Sequence, residues 1–226
     1  MTEKIRKNKK NYEENFTIYW CGTTSNYIYL LRYTFFGYVM ENMKLILIAA
    51  VSIDGVIGIG DTIPWRIPED FKHFRETTMG NMLLVGATTF KTLPPKAHEG
   101  REFIILNSGE YIEIDKNKGY YQFKNLEVIL DLLGNGRNDF DKVYVIGGAS
   151  IYHLLIDYCD EAIITWVNKT YPEGDKMFPI NKLFTNFTAE EDTEWMESKN
   201  NFRYKIMRYT RDGSKENTQN QTDNNN

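Results

Sequence analysis

The residues Lys44-Leu-Ile-Leu-Ile-Ala-Ala-Val51 are the strongest indication of the fold class, because they form an apolar run with no polar face after the first residue. A strand that is open to water on one side alternates apolar and polar residues, whereas a strand covered on both faces is apolar throughout. Similar short runs lie at residues 81–85, 103–106, 142–146 and 162–167. The sequence therefore predicts a sheet with both faces buried.

Helical patterns separate these runs, at residues 68–77, 88–93, 126–133 and 149–156. Strands that alternate with helices indicate parallel strands joined by crossovers. The last two segments, 187–196 and 202–209, alternate apolar and polar residues around a turn at 199–201, which predicts an antiparallel hairpin. We therefore predict an α/β fold with a mixed, mainly parallel central sheet, an antiparallel C-terminal strand and flanking helices.

The composition excludes several functions. The 226 residues carry a net charge of -4, which argues against a protein built to bind nucleic acid. Two cysteines and three histidines are too few for a disulfide framework or a Cys- or His-based metal centre. We expect one cytoplasmic domain, monomeric or homodimeric, with no metal and no membrane partner.

The two ends of the chain differ from the middle. Residues 1–42 hold six basic and four acidic residues and ten of the 32 aromatic residues, but no unbroken apolar run long enough to span a membrane. We expect them to be a poorly ordered extension, and Met43 to be a plausible alternative start. Residues 212–226 contain no apolar side chain and are expected to be a disordered tail. The working domain is predicted at residues 43–211.

One carboxylate lies on an apolar helix face. Pro68 suits the first turn of a helix, and Asp70 shares a face with Ile67, Phe71 and Phe74. A carboxylate is costly in such a position unless something binds it. Asp70 is therefore either a ligand-binding acid or only a contributor to the helix terminus.

Three loops follow predicted strands, where ligands bind in α/β sheets. Residues 53–65 form a glycine-rich loop with an embedded tryptophan, which is consistent with a mobile lid or with an ordinary connection. Residues 143–152 run from a strand through Gly147-Gly148 into a helix, and residues 84–90 do the same through Gly86. Such junctions admit a phosphate close to the backbone, although glycines also occur where elements merely pack tightly.

In this order, the segments resemble the dihydrofolate reductase family over about residues 43–211. The matching motifs are Ile48-Ala-Ala-x-x-x-Asp-Gly-Val-Ile-Gly, Ile63-Pro-Trp, Pro68-Glu-Asp-Phe-x-x-Phe, Gly100-Arg101, Val145-Ile-Gly-Gly and Glu173-Gly-Asp-x-x-Phe-Pro. The resemblance implies a three-layer fold and hydride transfer from NADPH to 7,8-dihydrofolate, with protonation at N5. The product, tetrahydrofolate, supports one-carbon metabolism and thymidylate synthesis.

The resemblance also implies the roles of individual residues. Asp70 would bind the 2-amino and N3 edge of the pterin, supported by the Thr165 hydroxyl, and Arg101 would pair bidentately with the substrate's α-carboxylate. Asp175 would steady the closed lid. The implied catalytic residues are Asp70, Trp65 and Thr165. The implied substrate-binding residues are Ile48, Ala50, Asp70, Phe71, Phe74, Arg101, Ile146, Tyr152 and Thr165. The implied cofactor-binding residues are Ala50, Ile57, Gly86, Ala87, Thr88, Thr89, Leu106, Asn107, Ser108, Gly147, Gly148, Ala149, Ser150, Ile151 and Tyr152.

Two positions depart from the family pattern. Ala87-Thr88 replaces the Arg-His pair that grips the adenosine 2′-phosphate in many members, which leaves Ser108 and Lys124 as candidate phosphate contacts. His98-Glu99 precedes Gly100 where a proline is usual, and this change affects the loop that places Arg101.

Two other functions compete with this interpretation. The pyrimidine reductase of riboflavin synthesis shares the fold and the cofactor, but its ribosyl phosphate substrate has no need of Asp70 beside Phe71 and Phe74. A non-catalytic scaffold that uses residues 1–42 for a partner is a different class, and the intact motif residues argue against it. Methotrexate binding separates the first alternative from folate reduction.

Overall fold

The computed structural model describes residues 43–134 and 141–213. Its strands are β1 (Lys44–Ser52), β2 (Val56–Gly58), β3 (Met82–Gly86), β4 (Glu102–Leu106), β5 (Tyr120–Phe123), β6 (Lys142–Val145), β7 (Glu161–Val167), β8 (Lys176–Met177), β9 (Phe187–Ala189), β10 (Met196–Glu197) and β11 (Arg203–Arg211). Its α-helices are α1 (Pro68–Thr78), α2 (Ala87–Thr92), α3 (Pro95–His98), α4 (Leu126–Gly134), α5 (Ala149–Leu155) and α6 (Ile180–Asn186). The predictions for residues 1–42 and 214–226 lie outside the described residues.

One nine-stranded sheet organises these elements. Its order is β10-β11-β7-β1-β6-β3-β4-β5, and β9 also pairs with β11. The pairs from β7 to β5 are parallel, whereas β11 runs antiparallel to β7, β9 and β10. The predicted mixed, mainly parallel sheet with an antiparallel C-terminal strand is confirmed.

Both faces of the sheet are buried, as the apolar strands require. Leu45 and Leu47 contribute to a core cluster that includes residues of α4, α5 and α6. Ile46 and Ile48 contribute to a second cluster, which includes residues of α1 and α2. Successive side chains of a strand point to opposite faces, so β1 supplies both cores at once.

The helices that cover the sheet are short. The longest, α1, has 11 residues, whereas a bilayer requires about 20 apolar residues in one helix. Within residues 43–134 and 141–213, no helix has the length and the apolar character to cross a membrane.

The prediction of one strand over residues 187–196 is wrong. The chain pairs with β11 only at β9 and again at β10, and the residues between them are not strand. This interval contains Glu190, Glu191, Asp192 and Glu194, all exposed. Acidic side chains have low strand propensity, and the interval supplies no apolar face to hold it on the sheet.

Several elements were not predicted. Strand β5 is short, and its apolar pattern is masked by Gln122, which is buried together with Tyr120 while Tyr121 is exposed. The small β2–β8 sheet pairs residues far apart in sequence. Helix α6 follows Pro179 and buries Leu183. The apolar periodicity of each of these segments is weak, and contacts with neighbouring elements determine its secondary structure.

Candidate active site

The candidate site lies where β1, β3, β6 and β7 end. Ala50 of β1 is in register with Thr165 of β7, and the Thr165 hydroxyl lies near enough to the Asp70 carboxyl of α1 to lower its pKa. The Tyr152 hydroxyl of α5 donates to the Ile48 carbonyl at 2.8 Å. Side chains from four separate segments therefore meet at the carboxyl ends of the central parallel strands, where ligands bind in such sheets.

The Asp70 carboxyl is held in an apolar setting at the first turn of α1. Desolvation by burial raises its pKa, and the hydrogen bond from Thr165 opposes that rise. Thr165 is itself buried. The carboxyl therefore keeps its proton to a higher pH than an exposed aspartate does.

Two phenylalanines of α1 lie on the predicted Asp70 face but differ in exposure. Phe74 packs partly against the core cluster around Ile48 and Ile146, as expected. Phe71 does not pack inward, because 49% of it is exposed. The ring is therefore open on one side, and the predicted role of Phe71 in substrate binding stays a prediction.

Tyr152 links two elements of the site through its hydroxyl. It is buried, and desolvation, followed by the charges of Asp70 and Cys159, raises the pKa of its hydroxyl. The phenol is therefore protonated and acts as a donor to Ile48. This bond joins α5 to the middle of β1.

The glycine junctions bring β3 and β6 together. The Gly86 N–H donates to the Gly147 carbonyl at 2.8 Å. A Cβ on Gly147, whose φ is +99°, would lie 2.8 Å from the Tyr152 ring, and a Cβ on Gly148 would lie 2.9 Å from the Thr89 Oγ1. Both positions therefore favour glycine, and the half-buried Gly148 lies beside Thr89 of α2 and the start of α5.

The other predicted cofactor residues follow the same edge. Ala87 and Thr88 begin α2, Ala149 and Ser150 begin α5, and Leu106 ends β4. Two predicted residues face the protein itself. The Ile151 side chain packs against Gly86, and the Asn107 side chain bonds to Glu110 and Gly109 of its own turn. Their side chains therefore stabilise the backbone around the site and do not face a ligand.

Ser108 and Lys124 are close in the fold although they are distant in sequence. The Asn107 N–H donates to the Phe123 carbonyl at 2.9 Å. Ser108 directly follows Asn107 in the chain, and Lys124 directly follows Phe123. Both side chains are exposed. This arrangement places a hydroxyl and a cation at the end of β4 and β5, next to α2.

The Arg101 guanidinium is already engaged. Its Nε donates to the Thr78 Oγ1 at 2.9 Å, its Nη1 to the Ala97 and Glu99 carbonyls at 3.1 and 3.0 Å, and its Nη2 to the Arg75 carbonyl at 2.9 Å. Four of five donors are thus used within the described chain. The predicted bidentate pairing with a carboxylate requires one of these bonds to give way, and it stays a prediction.

Trp65 and Ile57 lie beside the site. The Trp65 ring is buried, 5.4 Å from the Tyr171 ring, in a cluster with Ile67 just before α1. Ile57 packs partly against the cluster that contains Tyr152. The catalytic role of Trp65 stays a prediction. Within residues 43–134 and 141–213, no three acidic, His or Cys side chains are grouped to hold a metal ion.

The loop after β1 is fixed by acidic side chains, one of which the sequence analysis missed. The Asp54 carboxylate accepts hydrogen bonds from the Ser52 hydroxyl and the Tyr171 N–H. The Asp-Gly pair at 54–55 is a turn signal that indicates such a role. Across the β2–β8 pair, the Asp175 Oδ1 accepts from the Gly60 N–H at 2.8 Å. The loop thus has two anchors on the segment after β7.

We expect Asp175→Asn to lower turnover about threefold, because the amide is a weaker acceptor for Gly60 and holds the loop less well. Lys176 and the Gly60 N–H keep the pKa of Asp175 below its usual range, so the native group is charged near pH 7. Steady-state kinetics with saturating substrates measures the effect. Asp61→Asn, which removes another carboxylate from the same loop, is the control. An equal loss in both variants contradicts the assignment.

The fold and the site define an α/β protein whose candidate site residues meet at the carboxyl ends of its central parallel strands. The sequence profile of the dihydrofolate reductase family matches residues 44–211. The chain belongs to the dihydrofolate reductase family, and the resemblance noted from the sequence is confirmed.

Known proteins are similar over the same region. A dihydrofolate reductase of Mycobacterium tuberculosis is 32% identical over 169 residues, which are 73% of this chain and 96% of that protein. One of Neisseria meningitidis serogroup B is 32% identical over 170 residues, with 75% and 99% coverage. The structure of a dihydrofolate reductase from Enterococcus faecalis complexed with NADP(H) and RAB-propyl matches with a TM-score of 0.63, 25% identity, and 75% and 96% coverage.

Proposed function

We propose that the chain reduces 7,8-dihydrofolate to 5,6,7,8-tetrahydrofolate with NADPH. The observation that carries this function is the Asp70–Thr165 pair at the ends of parallel strands in a chain of the dihydrofolate reductase family. When bound, the cofactor supplies a hydride from its nicotinamide C4 to C6 of the pterin. The protein supplies orientation, exclusion of water and an acid of raised pKa.

The glycine junctions fit the proposed cofactor. A Cβ would collide at both Gly147 and Gly148, so only glycine allows this close packing, and we expect the half-buried Gly148 and the start of α5 to face the phosphates of a dinucleotide. Thr89 and Ser150 begin the neighbouring helices and offer hydroxyls. Ser108 and Lys124 would hold the 2′-phosphate in place of the missing Arg-His pair.

Asp70 would bind and protonate the pterin. Its two oxygens can accept the N–H groups of the 2-amino and N3 edge, as a carboxylate accepts two parallel donors. Burial raises its pKa toward the working pH. A carboxyl that takes up a proton there can pass it through water to N5 as C6 gains the hydride. Thr165 holds the carboxyl in the required orientation.

The rest of the substrate would follow α1 away from Asp70. Phe71 is exposed, and Phe74 lies under the Arg101 guanidinium, 5.7 Å from its Cζ to the ring centroid. The aminobenzoyl ring can stack in this region, and Arg101 lies at its far end for the glutamate carboxylate. The guanidinium is buried, which strengthens its attraction for an anion.

We further propose that residues 43–211 carry the activity in the cytoplasm, as a monomer or homodimer. The extent of the family match, residues 44–211, supports this boundary. We expect the 43–211 fragment to turn over dihydrofolate within about twofold of the full chain, since all of the predicted site residues lie within it. A large loss on truncation contradicts this boundary.

Oxidation of NADPH followed by absorbance at 340 nm, with dihydrofolate as substrate, tests the function. Turnover that is blocked by methotrexate supports it. Activity on a ribosylaminopyrimidine phosphate, with no activity on dihydrofolate, identifies the pyrimidine reductase instead. Binding of neither substrate identifies a non-catalytic scaffold.

A further inference from the structure

The turn that carries α3 is mostly exposed, and its half-buried residues are Ala97 and His98. Pro94, Pro95, Lys96 and Glu99 are all exposed, whereas His98 is half-buried. A surface turn of this kind has few apolar contacts and opens readily unless a side chain ties it down. His98 is the residue in this turn with the contacts to do so.

His98 inserts into an aromatic cluster. Its ring centroid lies 5.1 Å from those of Phe90 and Phe103 and 5.7 Å from that of Tyr120. Its Nδ1 is 3.1 Å from the Tyr120 hydroxyl. These contacts join the turn to α2, β4 and β5 at once.

The pair has a defined protonation state near neutral pH. Burial, and then the Lys118 ammonium, lower the pKa of His98 against the opposing effect of the Leu93 carbonyl. Burial raises the pKa of Tyr120. The imidazole is therefore neutral, and its Nδ1 shares a hydrogen bond with the phenol hydroxyl. The other charged groups along the cavity beside the pair are Glu113 and Asp115.

The same turn holds Arg101. The two carbonyls that accept from the Arg101 Nη1 belong to Ala97 and Glu99, the residues on either side of His98. The remaining bonds of the guanidinium go to Thr78 and Arg75 at the end of α1. Fixing the His98 ring therefore fixes half of the hydrogen bonds that orient Arg101.

We propose that His98 and Tyr120 form a positioning pair that presents Arg101 to the carboxylate tail of the substrate. The inference rests on the proposed function, because it concerns a substrate with an anionic tail. Without the pair, the turn and its two carbonyls move, and the guanidinium must be ordered again on binding. The free energy needed to order Arg101 weakens the binding of substrates that contact it, and it does not change the rate of the chemical step at the pterin.

Tyr120→Phe and His98→Phe test the pair, because each removes the hydrogen bond and keeps an aromatic ring. We expect each to raise the KM and the Kd of dihydrofolate about fivefold, the effect of one lost hydrogen bond. The kcat and the KM of NADPH should stay within about twofold. The double variant should bind dihydrofolate no more weakly than either single variant, because the two substitutions remove the same hydrogen bond.

A substrate without the tail separates positioning from general damage. The constants for 6-methyl-7,8-dihydropterin, which has no carboxylate, should be the same in wild type and variants. Tyr111→Phe is the matched control, because it removes a tyrosine hydroxyl that bonds to the same strand, at the Gln122 carbonyl 3.1 Å away. It should change neither substrate's KM.

The outcomes are distinct. Equal losses for both substrates, a fall in kcat alone, or tighter binding of dihydrofolate in the variants each overturn the positioning role. Should His98→Phe fail to fold, Tyr120→Phe still decides between these results. A wild-type chain that does not bind dihydrofolate at all refutes the proposed function instead.

Discussion

Asp70→Asn is expected to lower kcat/KM for dihydrofolate by about 100-fold or more near pH 7, while the Kd of NADPH stays within about twofold. The amide keeps the size of the side chain but cannot take up and release the proton that N5 requires. The cofactor would lie along the glycine junctions, away from this group. Stopped-flow hydride transfer and fluorescence titration with NADPH measure the two quantities.

Glu69→Gln is the matched control for this variant. Glu69 is the preceding residue on the same helix turn, is also half-buried, and accepts a hydrogen bond from the Lys199 N–H at 3.3 Å. The substitution removes the same charge from α1 without touching Thr165. Its activity should stay within about twofold of wild type, as for a substitution outside the site. Equal losses in the two variants would show that helix charge, and not the Asp70 carboxyl, is responsible.

The pH profile gives a further readout on the same residue. Burial raises the pKa of Asp70 above 3.8, its ordinary value. The folded chain therefore binds the proton more tightly than the unfolded chain, and stability falls as pH rises from about 3.8 through the folded pKa. Asp70→Asn should remove this fall and raise the melting temperature at pH 7. Hydride transfer in the native chain should slow as pH rises through the same pKa.

Gly147→Ala is expected to lower the free energy of unfolding by about 3 kcal/mol, the sum of backbone strain and overpacking. The φ of +99° disfavours any L-residue, and the new Cβ would lie 2.8 Å from two ring carbons of Tyr152 and 3.0 Å from its hydroxyl oxygen. The Tyr152 ring cannot retreat without breaking its bond to the Ile48 carbonyl. Thermal unfolding should show a fall of about 6–12 °C.

Gly80→Ala separates strain from collision. Gly80 also has a positive φ, +74°, but a Cβ there would meet nothing within 4 Å. Its cost should be about 1 kcal/mol, from strain alone. Combining Gly147→Ala with Tyr152→Leu should recover part of the difference, because the smaller side chain gives way. Equal costs at Gly147 and Gly80 would contradict the packing argument.

Most of the sheet could be predicted from local sequence, because a strand covered on both faces must be apolar throughout. Lys44–Ser52 and Glu161–Val167 follow this rule and form adjacent strands. The rule fails for Tyr120–Phe123, where a buried glutamine interrupts the pattern. A second rule, that alternating apolar and polar residues form a strand, fails at residues 190–195. The exposed acidic residues there are not part of the sheet.

The family, the apolar strands of the central sheet and the unusual acid Asp70 could be recognised from residue types at fixed spacing along the chain. Which groups meet depends on the tertiary structure. Thr165 reaches Asp70 across 95 residues of chain because β1 and β7 are neighbours. Arg101 is engaged by carbonyls of two segments, and His98 is tied to Tyr120 on another strand. Such contacts depend on long-range pairing and burial, which local spacing does not encode.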